Sequence, residues 1–123
     1  MEQNEKKAVP RVCESEYKMC LLLWDREPIR AADLARVCDR ELDWSRTTTY
    51  TVIKRLCDRG VLVNESGIVR ALFTKEEVQC YELEEMLEKT FQGSVPAFLA
   101  AFTKNRKLSA DEIAGIMAMI ERQ

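Results

Sequence analysis

The stretch WSRTTTYTVIKRLCDRG, residues 44–60, decides how the rest of the chain is read. Its pattern predicts one helix of about four turns, at 3.6 residues per turn. Ser45 is placed to cap it, since a serine hydroxyl accepts from the free amides of a first turn. Gly60 is placed to stop it, since glycine takes the left-handed closing conformation without steric cost. Thr49, Val52, Ile53 and Leu56 recur at helical spacing and predict an inward stripe. The opposite face carries Thr47, Thr48, Tyr50, Thr51, Lys54 and Arg55. Four threonines between Thr47 and Thr51 are a poor choice for helix propensity alone, which points to a task at the surface. Arg46, Lys54, Arg55 and Arg59 oppose only Asp58, a local net of +3. Hydroxyls beside Arg and Lys suit phosphate oxygens and base edges. Arg46 and Arg55 are therefore candidate phosphate anchors. Thr47, Thr48, Tyr50 and Thr51 are candidate contacts to bases or sugar-phosphate.

The whole chain, at 123 residues, is slightly acidic, with a net charge of −2. That balance excludes a general nucleic-acid coat. It leaves room for a local DNA-reading patch, because steering depends on where charge sits. Residues 1–74 carry 13 basic and 12 acidic side chains, and residues 75–123 carry 6 and 9, so the front half is the expected DNA side. The longest apolar runs, Met19–Trp24 and Ala97–Phe102, have six residues each and are too short to insert across a bilayer. The start, MEQNEKKAVPRV, lacks the apolar centre of a signal peptide, so the expected location is the cytoplasm. Cys13, Cys20, Cys38, Cys57 and Cys80 are widely spaced, and histidine is absent. No zinc site or other cofactor is expected from such spacing, and the cysteines read as small buried hydrophobes. An enzyme is not expected either. There is no histidine for acid–base work and no GxxxxGK phosphate loop. Neighbouring carboxylates such as Glu84 and Glu85 point different ways on a helix.

Outward from the central stretch, the organisation reads as follows. Residues 1–12 are polar, contain Pro10 and predict a loose arm. A helix is predicted over Glu14 to Asp25, with Tyr17, Cys20, Leu21 and Trp24 as its buried stripe, widened by Leu22 and Leu23. Pro28 ends it. Ile29 suggests a short extended segment. A second helix spans Ala31 to Leu42, with Ala31, Leu34, Ala35, Cys38 and Leu42 inward. Asp43 and Trp44 turn into the central helix, which completes a helix-turn-helix. Val61–Val63 predicts a strand, Asn64 to Gly67 a turn, and Ile68–Phe73 a second strand. A hairpin directly after a recognition helix is the wing of a winged helix. Arg70 is its only cation, open between a phosphate contact and a solvated strand charge.

Helices follow over Lys75 to Phe91 and Val95 to Lys104, and a third opens at Ser109, where Ser109 and Glu112 form a capping box. Their apolar side chains include Met86, Phe91, Phe98, Leu99, Phe102, Ile113, Ile116, Met117 and Ile120. So little chain cannot cover them, and exposed patches of that kind mark interfaces. A twofold dimer is the expected solution. The predicted fold is thus mainly α with a small β-hairpin: an arm over 1–12, a winged helix-turn-helix over 13–74, and a helical dimerisation region over 75–123. The alternative is a winged helix used for protein contacts without DNA binding.

The ordered set of segments resembles the penicillinase-repressor family, the BlaI/MecI/CopY group of bacterial regulators. The segments are Ser15-Glu16-Tyr17, Leu23-Trp24, Asp43-Trp44-Ser45, Thr48 to Gly60, Gly93-Ser94, Phe98 to Phe102, and Leu108 to Ile113. The resemblance implies a homodimeric repressor of transcription bound to a palindromic DNA operator. It implies that Thr47, Thr48, Tyr50 and Thr51 face the major groove. It also implies relief through a membrane sensor-protease pathway that cuts the fifth helix between an asparagine and a phenylalanine. That bond falls at Ala101-Phe102, where alanine replaces the asparagine. The copper-responsive branch binds metal through cysteines near the C-terminus, and this chain has none after Cys80.

Overall fold

The elements run in the order α1 (Glu14–Trp24), β1 (Ile29–Arg30), α2 (Ala31–Leu42), α3 (Arg46–Asp58), β2 (Leu62–Glu65), β3 (Ile68–Ala71), α4 (Lys75–Phe91), α5 (Val95–Lys104) and α6 (Ala110–Glu121). This is a computed structural model that describes residues 8–123. The architecture is a winged helix-turn-helix followed by helices, mainly α with a small antiparallel sheet. The chain divides into two units, one ending at Glu82 and the other spanning Leu83–Gln123.

In the first unit the three strands are ordered β1-β3-β2. The extended segment at Ile29 pairs with the wing, Ile29 opposite Val69 and Arg30 opposite Ile68. The hairpin itself runs from Leu62 opposite Ala71 to Glu65 opposite Ile68. Its turn is only Ser66 and Gly67, with φ of 55° and 86°. Two positive φ angles give a tight turn whose twist matches that of the strands. The turn expected over Asn64 to Gly67 is therefore shorter, and Asn64 and Glu65 continue the strand. The Asn64 side chain accepts from the Gly67 amide at 2.9 Å and holds the turn. The second strand stops at Ala71 rather than Phe73, and the Phe73 carbonyl instead accepts from the Trp24 indole at 3.0 Å.

The core of this unit gathers Met19, Cys20 and Leu23 of α1 with Leu34 and Cys38 of α2 and Val52, Ile53 and Leu56 of α3, closed below by Val61, Leu62 and Val69. One expectation fails here. Leu21, placed in the buried stripe of α1, is 37% exposed, whereas Met19, outside that stripe, is fully buried along with Leu23. The helix is rotated because Glu16 faces inward. Its carboxylate accepts from Arg59 Nη1 at 3.0 Å and Nη2 at 2.8 Å, and from the Cys13 amide at 3.0 Å. Burial of a carboxylate is tolerated only with such partners. The Arg59 guanidinium beside it holds the Glu16 carboxyl down at about 2. Arg59 also donates to the Arg11 carbonyl, so the chain before α1 is tied in. Of the arm expected over 1–12, residues 1–7 lie outside the described residues. The remainder is not loose at its end, because Val12 is buried and Val9 packs against the core.

Val78 is buried in this same core, and Gln79 donates to the Tyr17 hydroxyl at 3.0 Å. The first two turns of α4 thus pack with the winged helix, past the boundary expected between the wing and this helix at residue 74. In the second unit, Phe91 and Phe98 meet edge to face at 5.7 Å between centroids, and Phe98 and Phe102 lie tilted at 30° with centroids 5.8 Å apart. Ser109 and Glu112 form the capping box that starts α6. No residue of α5 or α6 is buried.

Glu16 lies well below the usual carboxylate range when folded, so its stabilising effect is complete above about pH 4.5 and is lost as pH falls toward 2. We expect Glu16→Gln to cost about 2–3 kcal/mol at pH 7, a figure reduced for the partly open guanidinium. Urea titrations of both proteins should show that gap closing between pH 4.5 and pH 2.

Candidate nucleic-acid interface

The third helix is set by its two ends. Asp43 closes α2 in the left-handed conformation, φ 57°, with its amide on the Asp39 and Cys38 carbonyls. The Trp44 amide then reaches back to the Cys38 carbonyl at 3.3 Å. Ser45 caps α3, accepting from the Thr48 amide at 3.1 Å, and its hydroxyl donates to Thr48 Oγ1 at 2.9 Å. At the other end Arg59 is the closing residue and Gly60 follows with φ 81°.

The two faces divide as the spacing predicts. Thr49, Val52, Ile53 and Leu56 are all buried. Arg46, Thr47, Thr48, Tyr50, Thr51, Lys54 and Arg55 are all exposed. Thr49 has no side-chain exposure to water and sits in the contact of α3 with α2, near the Cys38 thiol, whose pKa burial pushes up.

The structure does not treat the candidate cations alike. Arg46 Nε donates to the Tyr50 hydroxyl at 3.3 Å, and its guanidinium carbon lies 5.7 Å from the Tyr50 ring centre. Lys54 pairs with Asp58 at 3.3 Å, one turn on. Arg55 is half-exposed and leans toward the buried Glu16, 3.8 Å away. Arg70 stands apart on the wing, 3.7 Å from Glu65 of the paired strand. Such an exposed pair contributes little to stability.

Arg30 was not singled out by the sequence. The pairing of β1 with β3 brings it beside Tyr50 in an open groove of about 330 Å³, shared with Ser66, Gly67 and Ile68 of the wing. The Ala31 amide donates to the Gly67 carbonyl at 2.8 Å and pins the wing tip to the start of α2. A second groove, of about 220 Å³, places Arg36 and Asp39 of α2 against Arg46. No local signal marks Arg30, because only a pairing across some 40 residues of chain gives it this neighbourhood.

The cysteines divide by depth. Cys20 and Cys38 are buried, Cys57 is half-buried, and Cys13 and Cys80 are exposed. Burial pushes the Cys20 thiol up to about 12 and raises Cys57 as well. These three behave as core hydrophobes. The described residues include no group of three or more Cys, Asp or Glu side chains set to hold a metal ion.

A helix-turn-helix with a wing, and a basic, hydroxyl-rich third helix left uncovered, defines the class of winged-helix regulators. The particular family follows from comparison: the penicillinase repressor family profile matches residues 12–122, and the chain belongs to that family of DNA-binding transcriptional repressors. It is 21% identical over 119 residues to the penicillinase repressor of Bacillus licheniformis, covering 94% of this chain and 93% of that one. It is 19% identical over 116 residues to the methicillin resistance regulatory protein MecI of Staphylococcus aureus strain N315 and to that of Mammaliicoccus sciuri, covering 91% of this chain and 94% of each. No described helix is long and apolar enough to cross a membrane.

Removing the cap tests the local origin of the recognition helix. Ser45→Ala should lower stability by about 1 kcal/mol, read as a drop in melting temperature.

Proposed function

We propose that this repressor binds a palindromic operator as a homodimer in the cytoplasm and blocks transcription by occupying the site. One observation carries the reading: α3 buries its apolar side together with Thr49 and leaves Thr47, Thr48, Tyr50, Thr51 and its cations uncovered. A buried face anchors such a helix rigidly, and a free face of this chemistry fits a major groove. Thr47, Thr48, Tyr50 and Thr51 meet base edges or sugar-phosphate. Arg46 and Arg55 bring charge to the backbone, joined by Arg30 beside the wing. Arg70 of the wing, shared with Glu65, takes a lesser part.

The dimer reading rests on the second unit. Met86, Leu99, Phe102, Ile113, Met117 and Ile120 are exposed, and Phe91, Phe98 and Ile116 only half-buried. Two copies that cover these side chains with each other would remove a large apolar area from water, at roughly 25 cal/mol per Å². Two recognition helices would then address half-sites one helical turn or a multiple apart. For relief of repression, cleavage between Ala101 and Phe102 by a sensor-protease pathway would act on exposed residues of α5 and divide the dimerising unit.

Three variants test these roles. Tyr50→Ala should weaken binding to the selected operator at least fivefold, with the circular dichroism of the wild type. Arg55→Ala should weaken binding to every duplex and reduce the slope of log affinity against log salt by about 1. Both are read by fluorescence anisotropy on selected and random duplexes. Equal binding of all duplexes by the wild type would favour a winged helix built for protein contacts. Ile116→Asp together with Ile120→Asp should convert the dimer to monomer in sedimentation equilibrium. A wild type that is monomeric at high concentration would refute the dimer.

A further inference from the structure

We propose that Arg46 is a positioning residue: it holds the Tyr50 phenol as a hydrogen-bond donor toward DNA and thereby sets which base edge Tyr50 reads. The inference rests on the operator-binding reading above and goes beyond a phosphate anchor.

The two side chains lie one turn apart on the uncovered face of α3, and Arg46 Nε is 3.3 Å from the Tyr50 oxygen. A guanidinium has donors only, so the phenol oxygen must accept here. A phenol has one O–H and its lone pairs, and it can otherwise serve as donor or acceptor. With a cation already donating to one lone pair, a second donor would have to approach the oxygen beside that charge, which repels its partly positive hydrogen. The O–H turns away from Arg46 and becomes the group offered outward. Charge on the acceptor side also strengthens that donor. The guanidinium carbon, 5.7 Å from the ring centre, sits toward the hydroxyl end and leaves the ring bordering the groove that contains Arg30 and Ser66.

In the major groove, acceptors are guanine N7 and O6, adenine N7 and thymine O4. Donors are the amino groups of cytosine and adenine. A phenol committed to donating takes one of the acceptors and rejects a cytosine amino group in its place. A phenol free of Arg46 makes no such choice, since it accepts from cytosine as readily. Arg46 therefore contributes to sequence preference without touching a base.

The test uses the full-length protein. Duplexes bound by the wild type are selected from random DNA, and the base pair at which Tyr50→Phe loses preference locates the position. Anisotropy titrations then compare the selected duplex with one carrying a cytosine amino group at that position. The wild type should prefer the former about fivefold to tenfold, the value of one hydrogen bond. Arg46→Met and Tyr50→Phe should each bring that ratio near one, and the double variant should lose no more than either single variant. Arg46→Gln should keep the preference, because its amide nitrogen lies as many bonds from the backbone as arginine Nε. A phosphate contact alone would leave the ratio unchanged in both variants and weaken every duplex alike, so loss of preference in Arg46→Met with its retention in Arg46→Gln separates the two roles. The inference is overturned if Arg46→Met keeps the preference while binding all duplexes more weakly with a shallower salt dependence. A wild type that selects no sequence would instead overturn the operator-binding reading, and this inference with it.

Discussion

The first unit depends on one charge pair, a buried carboxylate held by a partly exposed guanidinium. Glu16 lies at the start of α1 and Arg59 at the close of α3, and their two-pronged contact joins elements 43 residues apart in the chain. A carboxylate taken out of water is costly unless its lone pairs are filled. Arg59 and the Cys13 amide fill them. The pair sets the rotation of α1, which carries Met19 and Leu23 into the core and turns Leu21 out. It also fixes where α3 ends. Because the same helix carries the candidate interface, the direction in which that interface faces rests on this contact.

With both ends and one side of α3 held, its outer side is released from any structural duty. The run of threonines lowers intrinsic helix preference. Packing of Val52, Ile53 and Leu56, with the Ser45 cap, offsets that loss. The outer residues can then be chosen for what they meet. Arg46 and Tyr50 show the result: two exposed side chains that order each other without help from the core. The wing is joined to the same frame through β1, so the segment that reaches Tyr50 from the side is tied to the start of α2.

The second unit is built on a different balance. Its helices have strong local signals, with serine caps at α5 and α6 and aromatic rings along Phe91, Phe98 and Phe102. Yet neither α5 nor α6 buries a single residue. Local order without burial gives little tertiary stability, since isolated helices of this length are marginal in water. The homodimer proposed above supplies the missing burial, and in that case the assembly of the repressor and the order of this unit are one process.

How much of this was legible depends on the range of the forces involved. The residues alone determined α2, α4 and α5 with the bounds found, and the caps at Ser45 and Ser109, because spacing and capping act within one or two turns. They also determined the two faces of α3, because an apolar stripe at helical spacing can point only one way in a small domain. Tertiary structure alone decided the rotation of α1, since Glu16 finds its partner on another helix. It decided that Ile29 and Arg30 would join the wing as a third strand. It decided that Arg55 leans to Glu16 and Arg70 to Glu65. Charges of one sign look alike in a sequence. What distinguishes them is the distance to an opposite charge or an acceptor, and the folded chain is what sets that distance.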